Sequence, residues 1–127
     1  MTPDAALVDA DFADRLERAC RTAVGDTLRS ITYFTREDYR QVYLRSDLEP
    51  DADLAGFVDH ESDGFRANTA YRGSELGEYR YTIRVFENGY LTRVTVGDRG
   101  VFVTTDGLTI QRSQDVAETL SRLLARP

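Results

Sequence analysis

Asn88-Gly89 stands between two runs of alternating side chains, 79–85 and 90–96, and constrains this chain more than any other feature. Asn followed by Gly supplies the positive φ angles that a two-residue hairpin turn requires. Counted outward from that turn, Glu87 meets Tyr90, Phe86 meets Leu91, Val85 meets Thr92 and Arg84 meets Arg93. Because side chains alternate along a strand, one face then carries Tyr79, Tyr81, Ile83, Val85, Tyr90, Thr92, Val94 and Val96 and reads as the core side. The other carries Arg80, Thr82, Arg84, Phe86, Leu91, Arg93 and Thr95. If Val96 opposes Val101, a third strand, 101–105, adds Phe102 and Thr104 to that second face.

The rest of the chain supplies partners for this ribbon. Phe12, Leu16, Cys20 and Ala23 recur at helical spacing, with Asp9 or Asp11 able to cap the start and Gly25 to stop the end. Segments 28–35 and 39–46 are rich in β-branched and aromatic residues and turn at 36–38. A two-residue loop there sets Ile31, Tyr33, Val42 and Leu44 on one side. Leu54, Phe57, Val58, Glu61 and Phe65 mark a second helix of two to three turns, fraying near Gly64. A polar loop follows over 67–78, and Ser113 can cap a last helix striped with Val116, Leu120, Leu123 and Leu124. The expected fold is an α+β domain in the order α-β-β-α-β-β-β-α, a five-stranded antiparallel sheet with helices on both faces. It spans 1–127 as one domain, with 1–8 as a flexible tail.

Sixteen basic residues, all arginine, face twenty-two Asp plus Glu, for a net charge of −6. An acidic, lysine-free surface suits a cytosol rich in potassium salt. The negative balance argues against nucleic-acid binding, although tyrosines interleaved with arginines can stack bases. No run approaches the about 18 apolar residues of a membrane span, and the N-terminus lacks a basic-then-apolar leader pattern. A cytoplasmic protein with no membrane partner is expected.

Arginines on one sheet face need an explanation, since two directly opposed cations repel by a few tenths of a kcal/mol. They stay solvated, pair with Asp and Glu of the second helix, or form a ligand site for a small anion built on Arg80, Arg84, Arg93 and Phe86. Leu91 and Phe102 beside them, with Leu54, Phe57 and Val58, are expected either to seat the second helix or to form an interface with a protein partner or second copy. Asp59, His60, Glu61 and Asp63 read as a solvated helix end and not a metal cluster, because neighbouring helix positions do not converge on one point. Asp51 and Asp53 read as helix caps, without the spacing of a calcium loop. Cys20 is the single cysteine and reads as a buried thiol. Gly73 and Gly77 do not have the spacing of a phosphate loop. No catalytic constellation, metal site or cofactor is expected.

The element order resembles the profilin-like architecture, which includes the roadblock (dynein light chain) modules and, more loosely, the PAS and GAF sensors. Segments 31–39 and 71–80 look like those of small haloarchaeal proteins of unknown function. The roadblock resemblance implies a non-enzymatic interaction or regulatory module, paired as a homodimer through a sheet edge and the middle helix. Here those are Tyr79 to Val85 and Leu54 to Phe65. The alternative is a PAS- or GAF-like sensor of a small anion or metabolite.

Overall fold

The computed structural model describes residues 2–4, 6–54, 56–69, 72–107 and 109–125, without side chains at 2, 3 and 66–69. The elements run β1 (Thr2–Pro3), α1 (Ala10–Val24), β2 (Leu28–Phe34), β3 (Asp38–Leu44), α2 (Phe57–Thr69), β4 (Tyr81–Phe86), β5 (Gly89–Val96), β6 (Arg99–Thr105) and α3 (Ile110–Ala125). Five strands form an antiparallel sheet in the order β3-β2-β6-β5-β4, and β1 adds two residues in parallel outside β3. In the segment 1–8, expected as a tail, Asp4 and Val8 touch the body. Asp4 N–H donates to the Tyr39 carbonyl at 2.8 Å, Val8 is buried, and Arg40 Nη1 donates to the Val8 carbonyl at 2.8 Å.

Two apolar layers cover the sheet. Asp9 caps α1 by accepting the Phe12 N–H at 2.8 Å, and Gly25 ends it at φ 60°. The stripe of α1 buries Phe12, Ala13, Leu16, Cys20 and Val24. That of α3 buries Val116, Ala117, Leu120 and Leu124. Both close on Ile31, Tyr33, Val94, Val101 and Val103. Each large side chain so buried contributes about 1.5–3 kcal/mol. Thr109 begins α3, its hydroxyl accepting the Arg112 N–H, whereas Ser113, expected as the cap, is buried one turn in.

On the opposite face α2 lies over Phe34, Leu91 and Phe102 through Val58 and Phe65, with Tyr39, Leu54 and Phe57 at the margin. This helix does not fray at Gly64 but continues to Thr69. Gly100 makes room for the Phe34 ring, because a Cβ there would sit 2.8 Å from Cε1.

Both hairpin registers differ from expectation. In the first, Phe34 pairs with Tyr39 and Tyr33 with Arg40 around a longer turn, and the register shifts between Ile31 and Thr32. Beyond the shift Ser30 opposes Leu44, so Leu44 shares the α2 face while Val42 stays with Ile31 and Tyr33. In the second, Phe86 pairs with Gly89, Arg84 with Leu91 and Thr82 with Arg93, leaving Glu87 and Asn88 as the turn. Neither Asn88 nor Gly89 adopts positive φ. Gly89 opens β5 instead, and a Cβ on it would press against the Thr105 carbonyl. Val94, not Val96, opposes Val101. The slip amounts to two positions, one full pleat, so the side chains paired between β4 and β5 keep their expected faces, whereas Tyr79, expected on the core side, meets Arg93 on the α2 side.

Candidate functional site

The arginine face is a closed interface between α2 and the sheet. Arg93 lies mid-strand on β5 and is only 2% exposed. Its Nε donates to the Glu61 carbonyl at 3.1 Å and lies 3.3 Å from Glu61 Oε1. Its Nη1 donates to the Tyr79 hydroxyl at 3.1 Å. The guanidinium sits 5.7–6.0 Å from the ring centroids of Phe34, Phe65 and Tyr79, which face its cation with their negative π-clouds.

Glu61 completes the arrangement from α2. It is as buried as Arg93, and so is not the solvated helix-end residue expected. It accepts from Arg84 Nε at 2.8 Å and from Arg84 Nη2 at 3.3 Å, the two-pronged geometry that suits guanidinium to carboxylate. Arg84 and Arg93 are therefore not directly opposed. They are diagonal neighbours on β4 and β5, joined by one carboxylate. Gly64, one turn after Glu61, is part of the same fit. A Cβ there would lie 2.6 Å from Arg93 Cζ.

Of the expected anion ligands, Arg93 is sealed beneath α2 and Arg84 already holds Glu61. Phe86 stacks on Phe57 with centroids 5.9 Å apart and planes 8° from parallel, closing the same interface at its rim. Arg80 is exposed and stands apart, in a concavity with Arg72 and Arg122. Of the expected partner interface, Val58, Leu91 and Phe102 are buried in this chain's own α2–sheet core, leaving Leu54 and Phe57 partly accessible. The fit of helix to sheet thus engages Val58, Leu91 and Phe102 within the chain.

A second polar cluster lies at the start of α2. Asp53, expected as a cap, holds a positive φ of 61°, as does Asp51 at 65°. Its carboxylate accepts from Arg29 Nε at 3.1 Å and from Thr104 Oγ1 at 2.6 Å. Thr104 in turn meets the buried Ser30 hydroxyl at 2.5 Å. Arg45 donates to Asp106 at 2.7 Å, and with Arg29 beside it holds that carboxyl below its ordinary range, the Arg45 hydrogen bond being the larger cause. A cavity of about 450 Å³ opens here between Phe57, Phe86, Asp53 and Thr104.

Among the described residues no group of three or more His, Cys, Asp and Glu is placed to hold a metal ion, and no helix is long and apolar enough to cross a membrane. Cys20 is sealed in the α1 stripe, where desolvation of the thiolate pushes the thiol up to about 12. Of the readings open for the arginines, pairing with an acid of the second helix is the one found, through Glu61, although Glu61 itself was expected to be solvated; its signal was an acid at an apolar position of the helix stripe. Sequence reasoning missed Tyr79, which bonds Arg93 on the α2 side and meets the Thr82 hydroxyl.

Known structures share this architecture. The gliding protein MglB from Thermus thermophilus aligns over 100% of both chains at a TM-score of 0.61 and 15% identity. A structure described as MglB with tetrameric arrangement aligns over 98% of both at 0.61 and 15%. A roadblock/LC7 domain from Streptomyces avermitilis aligns over 93% of both at 0.57 and 14%. At such identities the likeness is one of fold, and the fold is that of the roadblock/LC7 domains. No curated protein sequence matches. At the level of sequence, residues 14–125 match one family throughout, and the chain belongs to it: DUF7522, described as a domain of unknown function.

Proposed function

We propose that this chain is a non-enzymatic interaction module that pairs with a second copy of itself along the outer edge of β4, with α2 beside it. The observation that carries this reading is the state of that edge. β4 is the last strand of the sheet, with β5 on one side and no strand on the other among the described residues. At its end Val85 is 64% exposed and Phe86 48%. Val85 was expected in the core, but the layer formed by α1 and α3 stops short of it. An unprotected edge with exposed apolar side chains is a template for strand addition.

Leu54 and Phe57 flank this edge through the Phe57–Phe86 stack, and the exposed Asp59, His60 and Asp63 line the outer side of α2. The roadblock/LC7 fold supports the reading by resemblance, since its modules pair through sheet edge and middle helix. One neighbour is itself described as tetrameric. The PAS- or GAF-like alternative loses ground, because Arg84 and Phe86, two walls of its pocket, are engaged within the chain.

We place the protein in the cytosol of a salt-accumulating archaeon, a reading supported by the net charge of −6 and sixteen basic residues that are all arginine. Sedimentation in molar potassium chloride is the test. A dimer is expected, and a strict monomer at tens of micromolar would overturn the proposal.

A further inference from the structure

We propose an anion-binding site in the concavity where the start of β4 meets the end of β5 and the last turns of α3. It would take a compact ligand bearing two or more carboxylate or phosphate groups. The site is separate from the Glu61 cluster and does not depend on pairing between copies.

The argument starts from how this chain treats its guanidinium groups. Arg29, Arg45, Arg84 and Arg93 hold carboxylates, and Arg40 and Arg99 hold carbonyls. Arg21 and Arg36 lie over aromatic rings. In a chain with more acids than arginines, such partners are easily found. Yet Arg72 and Arg80 make no hydrogen bond, ion pair or ring contact among the described residues, and both line one concavity of about 700 Å³. Arg122 lines it from α3, its one bond among the described residues a 3.5 Å contact to the Thr119 hydroxyl.

Two acids line the same space, Glu78 and Glu118, and neither pairs with any of these arginines. Three cations against two anions leave the lining positive on a molecule of net charge −6. A ligand anion therefore meets free donors here and breaks no existing ion pair. The volume matches the pockets that hold small molecules, about 300–1,000 Å³. Tyr81 anchors the floor through the α1–α3 core, so part of the wall is rigid. Guanidinium forks on three separate segments suit a ligand that offers several planar or tetrahedral oxyanions at once.

Calorimetric titration with citrate and with pyrophosphate tests the site, in a buffer where circular dichroism shows the protein folded. The two probes separate carboxylate from phosphate preference. At least one is expected to bind, with Arg80→Gln and Arg122→Gln each weakening it about tenfold. Arg80→Lys, which keeps the charge and loses the fork, should weaken it less. Arg112→Gln removes an exposed arginine outside the concavity and should change nothing. Sedimentation of the same variants reads pairing separately, so failure of one proposal does not imply failure of the other. Absence of binding by both probes, binding undiminished in Arg80→Gln and Arg122→Gln, or equal weakening by Arg112→Gln would overturn the site.

Discussion

Glu61 and Arg93 face each other 3.3 Å apart across the α2–sheet interface, each with 2% of its side chain exposed. Desolvating two such charges costs several kcal/mol per ion, recovered only when geometry and hydrogen bonds are good. Here Arg84 supplies a second partner to Glu61, and Tyr79 a second acceptor to Arg93. Glu61→Ala strands a buried cation and should cost about 3–5 kcal/mol in urea unfolding. Arg84→Gln, at a side chain 37% exposed, should cost no more than about 1 kcal/mol. Glu61→Leu combined with Arg93→Met should recover most of the loss. A Glu61→Ala cost under about 1 kcal/mol would show that the pair contributes little.

Gly64 gives a sharper test of the same packing. Alanine in a helix interior is ordinarily favoured over glycine by about 1 kcal/mol. Here its Cβ would lie 2.6 Å from Arg93 Cζ, in a pocket closed by Phe34 and Phe65. Gly64→Ala should therefore destabilise by about 1–3 kcal/mol. With Arg93→Met also present, the sign should move toward stabilisation. A stabilising Gly64→Ala in the wild-type background contradicts the buried guanidinium.

Cys20 sets a pH limit. Its thiol titrates at about 12 when folded, against 9.0 for the free group. A raised thiol pKa favours the folded state in full below pH 9, where neither form is ionised. That advantage is lost as pH climbs from 9 toward 12, because only the unfolded chain gains the thiolate. Unfolding midpoints should fall over that interval, and less steeply in Cys20→Ala. The native thiol should also resist a disulfide reagent at pH 8 and react once urea unfolds the chain. Rapid labelling of the native protein would contradict the burial.

The β4 edge is checked by charge. Val85→Lys places a cation on the exposed end of the strand, a device by which sheet edges avoid association. The variant should sediment as a monomer while its melting temperature, measured on the monomer, stays near that of the wild type. An unchanged dimer would move the interface elsewhere.

Salt should act on the surface and spare the interior. At about 1 M the Debye length is near 3 Å, so repulsion among surface carboxylates fades while Glu61–Arg93 is barely screened. Stability should rise with potassium chloride through the molar range. A melting temperature independent of salt would count against the salt-rich habitat.

The sequence by itself determined the elements and their faces. Periods of 3.6 and 2 are local properties of the chain, so the stripe of α1, the alternation of β4 and β5, and the α-β-β-α-β-β-β-α order could all be read from neighbouring residues. A register error of two positions left the faces of β4 and β5 intact for the same reason, whereas the shift between Ile31 and Thr32 moved Leu44 to the other face. Only the tertiary structure decided what the arginine face does. Whether Arg84 and Arg93 meet water, a ligand or Glu61 depends on where α2 lands, and Glu61 precedes Arg93 by 32 residues. The clue lay in the pattern, with Glu61 between Val58 and Phe65 on an otherwise apolar stripe and Gly64 beside it. It became legible only once helix and sheet were in contact, because the partners of a buried charge are set by packing between distant segments, whereas periodicity is written along one.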